Sequence, residues 1–294
     1  MPLPKFSYLA PKSLAEACAL LAEHGQNAKL MAGGTDLLLK LGRTGRAPRF
    51  VIGLRNVPGL DFVRFDPAKG LSIGALALLS TVAEHADVRR LYPALAQAAG
   101  ATATVQIRNM GTVAGNLCNA SPSADTATPL LVHGAEVVLS GPDGERTLPL
   151  ERFFRGPGQT ALAGAEVLRE IRMPPPAPRT GSAYLRISER SQVDIAAACV
   201  SALVTLDASG RCVKARLALG SVAPTPLRAE EAERILEGQP PGDAAIAKAA
   251  ASACAASRPI SDARAGAAWR KKMVEVLTRR ALHAAAALAN GGQP

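Results

Sequence analysis

The stretch KLMAGGTDLL, residues 29–38, places two glycines, a threonine and an aspartate directly after a short apolar run. A second stretch of the same kind, GTVAGN, covers residues 111–116. Glycine adopts backbone conformations that other residues avoid, and a bend without bulky side chains exposes amide donors to an anion. A single turn of this kind is compatible with a purely structural bend. The pair predicts a chain that grips a long polyanion, such as a dinucleotide pyrophosphate, from two sides.

Length and composition indicate a chain with a substantial core. With 294 residues, 48% of them hydrophobic and 3% aromatic, it is expected to fold as two or three lobes. No apolar run approaches the roughly 18 residues that span a bilayer. The N-terminal residues lack the apolar stretch of a signal peptide. We therefore expect a cytoplasmic protein without an integral membrane segment.

The cysteines and histidines are scattered. The five cysteines form no C-x-x-C pair, and the four histidines do not cluster. This pattern argues against a disulfide scaffold, a zinc site or an iron–sulfur cluster held by this chain alone. We assign no metal ligand.

The net charge of +10 raises the question of a nucleic-acid partner. Many of the basic residues lie near the C-terminus, but they are not interleaved with aromatic residues, and no nucleic-acid motif is present. We expect instead a solvated helix face that attracts anionic ligands or acidic partners.

The first 59 residues predict a small α/β lobe. Ser13 and Glu16 form a capping-box pattern at the start of a helix. Strands are predicted over 28–32 and 50–54, with a helix beginning at 37–41 between them. This alternation favours parallel strand pairing.

From about residue 60 the pattern becomes one of short strands and short helices. Strands are predicted over 62–65, 71–73 and 136–140, and helices are predicted to begin near Thr81, in a second capping box with Glu84, and near Pro93. This mixed α+β region extends to the proline run at 174–176, which can continue neither a helix nor a strand.

The remainder predicts an antiparallel sheet covered by helices. The predicted strands are 183–190, 196–207 and 212–221, with a hairpin turn at 207–210, and the predicted helices are 228–236, 244–257 and 267–289.

Candidate ligand-binding groups surround the glycine turns. Thr35, Thr112 and Asn116 offer side-chain hydrogen bonds, and Asp125 can either accept ribose or adenine hydrogens or cap the helix that follows it. Neither turn matches G-x-G-x-x-G or G-x-x-x-x-G-K-[ST], no G-x-S-x-G elbow is present, and no histidine lies beside either turn. The chain is expected to bind a reactive cofactor rather than to supply catalytic groups, and we assign no catalytic residue.

The sequence resembles the FAD-binding medium subunit of the molybdenum hydroxylases, the family of carbon monoxide dehydrogenase and xanthine dehydrogenase. The resemblance covers nearly the whole chain and rests on KLMAGGTDLL, QIRNMGTVAGNLCNASPSADTATPLL, AEVLREIRMP, YLRISERSQVDIA and RPISDARAGAAWRKKMVEVLTRRAL. It implies an α+β fold. Residues 1–59 and 60–176 would form a two-subdomain FAD-binding fold of the vanillyl-alcohol oxidase type, and 177–294 a C-terminal domain.

The resemblance also implies a set of FAD-binding residues. The first loop would consist of Leu30, Met31, Ala32, Gly33, Gly34, Thr35, Asp36 and Leu37. The second would consist of Thr112, Ala114, Gly115, Asn116 and Cys118, with Asp125 on the adenosine ribose or adenine. The backbone of Leu168 would approach the flavin ring, and Leu185 or Arg186 stands where family members often have a lysine. Ala114 replaces a usual glycine, a small change if its φ is negative.

By the same resemblance, the chain is an oxidoreductase subunit that transfers electrons. A small subunit with [2Fe–2S] clusters would reduce the FAD, which would pass electrons to NAD, a quinone or another acceptor. A large molybdopterin subunit would oxidise the substrate, in a dimer of heterotrimers. Two alternatives stay open: a self-contained flavoenzyme of the same fold acting on its own small substrate, and a non-enzymatic scaffold.

Overall fold

The N-terminal part of the molecule is a small sheet of parallel strands. The computed structural model describes residues 3–190 and 193–292. The elements of this part are β1 (Ser7–Leu9), α1 (Leu14–His24), β2 (Ala28–Met31), α2 (Leu37–Thr44) and β3 (Phe50–Gly53). The strand order is β1-β3-β2, and both pairings are parallel, as predicted. Strand β1 was not predicted, since its three residues are largely exposed and carry no alternating pattern.

The start of α1 follows the predicted capping box in part. The hydroxyl of Ser13 accepts a hydrogen bond from the amide of Glu16 at 3.1 Å. The carboxylate of Glu16 reaches back to the amide of Lys12 at 2.7 Å, one residue before the expected partner. The side chain of Ser13 thus caps the helix, while Glu16 bonds the chain just before it.

The middle part is built on an antiparallel sheet with the order β4-β5-β10-β6-β7. Its elements are β4 (Val63–Asp66), β5 (Gly70–Gly74), α3 (Leu79–Glu84), α4 (Ala86–Leu91), α5 (Pro93–Ala101), α6 (Val105–Arg108), α7 (Val113–Asn119), α8 (Ala127–Val132), β6 (Glu136–Gly141), β7 (Gly144–Pro149), β8 (Phe154–Gly156), β9 (Gln159–Thr160) and β10 (Val167–Met173). The three predicted strands are confirmed. The central strand β10 was not identified as a strand, because charged residues interrupt its apolar pattern.

The second predicted capping box is wrong. Helix α3 begins at Leu79, so Thr81 lies inside the helix and Glu84 is its last residue. The reason is tertiary: Leu78 forms a β-bridge with Thr112, and the amide of Leu79 donates to the carbonyl of Gly111 at 3.0 Å. The second glycine turn therefore sets the start of this helix, and the local sequence does not.

The C-terminal part is an antiparallel sheet covered by helices, as predicted. Its elements are β11 (Thr180–Ile187), β12 (Ala198–Leu206), β13 (Cys212–Gly220), β14 (Leu227–Arg228), α9 (Glu230–Leu236), α10 (Asp243–Ala256) and α11 (Ala267–Ala289). The strands follow the order β11-β12-β13-β14. The helix predicted from residue 228 begins two residues later, because Leu227 and Arg228 pair with β13.

Polar groups join the C-terminal part to the middle part. The amide of Tyr184 donates to the side chain of Gln97 at 2.8 Å, and the hydroxyl of Ser182 bonds the ring of His133 at 3.1 Å. Burial lowers the pKa of His133 to about 3, so this ring is neutral. On the surface, Glu151 forms ion pairs with Arg216 and Arg228. The two parts therefore meet through a hydrogen-bonded interface with a fixed register.

Helix α11 packs directly on strand β11, and the contact requires glycine at position 181. A Cβ at Gly181 would overlap the carbonyl oxygen of Ala285. We predict that Gly181→Ala lowers the free energy of unfolding by about 1–3 kcal/mol, the usual cost of overpacking. Urea denaturation followed by circular dichroism measures the change.

The control is Gly164→Ala, at an exposed position where a Cβ meets nothing within 4 Å. It should change the stability by no more than about 0.5 kcal/mol, as is usual for surface substitutions. Equal urea midpoints for the two variants would contradict the proposed packing.

Candidate functional site

The first glycine turn connects β2 to α2. Gly34 has a φ of +75°, in the left-handed region that favours glycine. Gly33 is required for a different reason, since a Cβ there would overlap the carbonyl oxygen of Met110. Strand β2 delivers Ala32 to the turn, and α2 begins at Leu37 on its far side.

The backbone amides of this turn have no hydrogen-bond acceptor in the described part of the chain. Within residues 3–190 and 193–292, no backbone or side-chain acceptor bonds the amides of Gly33, Gly34, Thr35 or Asp36. The side chain of Asp36 caps no amide of α2. Consecutive unpaired amides at a bend form a donor surface for an anion.

The second glycine turn connects α6 to α7. The hydroxyl of Thr112 accepts a hydrogen bond from the amide of Gly115 at 2.9 Å and so caps α7. The carbonyl of Thr112 accepts from the amide of Asn116 at 3.0 Å. Ala114 is buried within α7 and has no positive φ, so alanine fits this position without backbone strain.

The two turns lie against each other. The carbonyl of Met110 packs on Gly33, and a Cβ added at Gly111 would lie 3.4 Å from the hydroxyl of Thr35. These groups are about 75 residues apart in the sequence. The structure thus places both predicted ligand loops at one location.

A buried polar cluster lies beyond the second turn. The hydroxyl of Thr126 donates to the side-chain oxygen of Asn116 at 2.7 Å. Its neighbour Asp125 accepts a hydrogen bond from the phenol of Tyr184, and the guanidinium of Arg186 lies 3.4 Å from the same carboxylate oxygen. Asp125 does not cap α8, which begins after Thr126 without a side-chain cap.

Burial dominates the titration of this cluster. It raises the pKa of Asp125, and the neighbouring Arg186 and the Tyr184 phenol offset part of that rise. Burial is also the main reason that the pKa of Tyr184 lies well above its usual value. Tyr184 and Arg186 therefore offset part of the cost of burying the Asp125 carboxylate.

The other predicted residues occupy several positions around the turns. Leu30 and Met31 are half-buried in β2. Cys118 lies on α7, where burial raises the pKa of its thiol to about 12 and keeps it protonated. Leu168 is buried in β10, which packs against α7, and it borders a β-bulge that precedes Glu170.

Two absences hold for the part of the chain that the structure describes. No group of three or more histidine, cysteine, aspartate or glutamate side chains is arranged to hold a metal ion there. No helix in the same part is long and apolar enough to cross a membrane.

Two family models match the chain. Residues 4–176 match the FAD binding domain in molybdopterin dehydrogenase, and residues 183–285 match the CO dehydrogenase flavoprotein C-terminal domain. The chain belongs to the FAD-binding medium subunits of the molybdenum hydroxylases. Its cofactor is FAD, and it is an oxidoreductase subunit.

Similar proteins and structures agree with this assignment. The medium subunit is 34% identical to the xanthine dehydrogenase FAD-binding subunit of Escherichia coli O157:H7, over 97% of each chain. It is 36% identical to the carbon monoxide dehydrogenase medium chain of Hydrogenophaga pseudoflava, over 96% of this chain and 97% of the relative. A solved carbon monoxide dehydrogenase from H. pseudoflava superposes with a TM-score of 0.93 at 37% identity, covering 97% of this chain and 98% of that chain.

Tyr184 and Thr126 are the two residues of the subunit's buried cluster that the sequence analysis did not identify. A period-two reading of β11 would have placed Tyr184 and Arg186 on one face of the strand. Tyrosine in a strand is common in any core, however, and the partner Asp125 lies 59 residues earlier in the chain.

The raised pKa of Tyr184 predicts a loss of stability at alkaline pH. A group whose pKa is higher in the folded state stabilises the fold fully below its unfolded pKa, which is about 10 for tyrosine, and loses this contribution above it. We predict that the unfolding free energy of the wild-type subunit falls faster above pH 10 than that of Tyr184→Phe, by up to about 1.4 kcal/mol per pH unit. Denaturant titrations between pH 8 and pH 11 measure both slopes.

At pH 8 the comparison isolates the lost hydrogen bond, expected to cost about 1.5–3 kcal/mol because its acceptor is charged. If the unfolding free energies of the two proteins fall in parallel above pH 10, Tyr184 ionises as easily in the folded state as in the unfolded state, and the prediction is wrong.

Proposed function

We propose that this chain is the electron-transferring subunit of a heteromeric molybdenum hydroxylase, and that its two glycine turns jointly hold the FAD. A small subunit with [2Fe–2S] clusters donates the electrons, and an external carrier such as NAD or a quinone accepts them. The substrate is oxidised on a large molybdopterin subunit, in a dimer of heterotrimers. The observation that carries the proposal is the contact between the two turns, together with four amides of the first turn that have no acceptor among the described residues.

The donor set of the turns fits a pyrophosphate. The amides of Gly33 to Asp36 are uncharged donors that would bond phosphate oxygens, as glycine-rich turns do in other nucleotide sites. The hydroxyl of Thr112 already accepts from Gly115, so its proton is available to a phosphate oxygen. Asn116 accepts from Thr126 through its oxygen, which leaves its NH₂ group as a donor.

Asp125 is suited to the adenosine end. Both of its partners, Tyr184 and Arg186, use the same carboxylate oxygen. In the described part of the chain no group bonds the second oxygen, which can accept from ribose hydroxyls or from the adenine amino group. The pair of Tyr184 and Arg186 holds the carboxylate in one orientation.

We assign the flavin-ring end to the neighbourhood of Leu168; Arg186, for which the sequence suggested a place near the flavin, instead lies against Asp125 at the adenosine end. The β-bulge beside Leu168 interrupts the pairing of β10 with β6, which gives the backbone there a freedom that a regular ladder lacks. The guanidinium of Arg186 donates to the carbonyls of Ala101 and Asp194. Arg186 therefore also holds the backbone around the adenosine end of the site.

Bound FAD supplies redox chemistry that accepts electrons singly and delivers them singly or in pairs. The residues of this chain would bind it and orient it. The thiol of Cys118 is protonated at neutral pH, which argues against a thiolate role. The proposal accordingly assigns no catalytic residue.

The same proposal includes the domain division and the location. We divide the chain into 1–59, 60–176 and 177–294, with the first two forming an FAD-binding fold of the vanillyl-alcohol oxidase type. The three main sheets and the proline run after β10 support this division. Five free cysteines support a reducing compartment, and we infer the cytoplasm.

The test combines flavin binding with electron transfer. We predict that the purified chain binds FAD with visible flavin bands, and that Gly33→Ala weakens binding at least about tenfold, because a displaced turn loses one or more phosphate hydrogen bonds. The flavin of the wild-type chain should stay oxidised with candidate substrates alone. It should be reduced by a candidate substrate when the small and large partner subunits are added. Absorbance at the flavin bands follows both steps.

Gly42→Ala is the matched control. Gly42 lies in α2, where a Cβ meets only a leucine methyl at 3.9 Å, so this variant should bind FAD like the wild type. A chain that acquires no flavin bands with FAD would refute the proposal. Flavin reduction by a small substrate in the absence of partners would favour a self-contained flavoenzyme.

A further inference from the structure

Arg270 is a buried arginine on the C-terminal helix α11, outside the site described above. Its side chain is 4% exposed. One terminal nitrogen donates to the carbonyls of Ala197 and Ser221, at 3.1 and 3.0 Å. The other donates to the carboxylate of Asp262 at 2.6 Å. A single guanidinium therefore joins three separate segments of the chain.

The carbonyl of Ser221 belongs to a segment that bonds the turn before Asp125. Ser221 follows β13 with a φ of +65°, an unusual value for serine, and its amide donates to the carbonyl of Pro122 at 2.7 Å. The preceding Gly220 is packed so closely that a Cβ would lie 2.6 Å from the sulfur of Cys199. Arg270 thus holds Ser221 in place, and Ser221 holds the turn that leads to Asp125.

The carbonyl of Ala197 belongs to a segment that contacts Arg186. The amide of Ala197 donates to the carbonyl of Ile187 at 2.8 Å, directly after Arg186 in β11. The guanidinium of Arg186 in turn bonds the carbonyl of Asp194. The backbone at Ala197 is therefore hydrogen-bonded to the end of β11, directly after Arg186. The bond from Arg270 holds Ala197 in this place.

We propose that Arg270 is a positioning residue for the FAD site: by tethering Ala197 and Ser221 it fixes Asp125 and Arg186 relative to each other and so sets the affinity for FAD. This inference rests on the proposed function. It connects the site to helix α11 through two short chains of hydrogen bonds.

The energetics favour a positioning role over a purely stabilising one. A buried ion pair is often no more stable than apolar residues of similar volume. In addition, Nε of Arg270 and the hydroxyl of Ser221 have no hydrogen-bond partner among the described residues, which is unfavourable for buried polar groups. What the arginine provides that an apolar residue lacks is the geometric link between the two carbonyls.

The test uses the full-length chain and two readouts. Peptide hydrogen exchange without FAD reports on residues 119–130 and 194–203, and fluorescence titration gives the Kd for FAD. We predict that Arg270→Met speeds exchange in both peptides and weakens FAD binding about tenfold or more, the size of a lost charge-assisted hydrogen bond. The control is Arg279→Met on the same helix, where the exposed Arg279 pairs with Glu275 alone among the described residues; both readouts should match the wild type.

Arg270→Lys carries the test if Arg270→Met does not fold. Lysine retains a positive charge but has a single terminal nitrogen, which cannot bond both carbonyls and the Asp262 carboxylate together, so both readouts should still change in the same direction. The proposal is overturned if the folded variant matches the wild type in either readout. Failure of the wild-type chain to bind FAD would instead refute the proposed function, while the exchange measurement would still test the tether.

Discussion

The arrangement of the site depends on one close backbone contact, between Gly33 of the first turn and the carbonyl of Met110 before the second. Any side chain at position 33 would separate the turns, and their donors would then face different directions. The contact also determines neighbouring structure: the carbonyl of Gly111 accepts the amide of Leu79 and so fixes the start of α3. A pair of turns that would be weak binding elements separately becomes one rigid donor surface, and rigidity reduces the entropy lost when a ligand binds.

The second constraint is electrostatic. Asp125 is a buried carboxylate, and a group of this kind is retained only with partners that offset its desolvation. Tyr184 and Arg186 provide them from β11, on the far side of the interface between the middle and C-terminal parts. The C-terminal part therefore completes the site around Asp125. This dependence explains why the interface between the two parts is hydrogen-bonded and not simply apolar.

Much of this architecture could be predicted from the sequence, and the exceptions share a cause. Helix α11 was predicted with the observed bounds because its periodicity and its flanking glycines are local signals. The glycine turns were identified because backbone freedom is a property of the residue itself. Thr81 was misassigned as a helix start, since the true start is set by a contact with Gly111 some 30 residues away. Tyr184 and Arg270 were missed for the same reason: their partners are distant in the chain, and a tyrosine in a strand or an arginine in a basic helix carries no local signal of burial.

The central claim is that both glycine turns contact a single FAD. Hydrogen exchange of the full-length chain with and without FAD tests it directly, through peptides that cover residues 32–38 and 110–117. We predict that FAD slows hydrogen exchange in both peptides, with the same dependence on FAD concentration. Protection of only one turn, or protection of the two at different FAD concentrations, would contradict it.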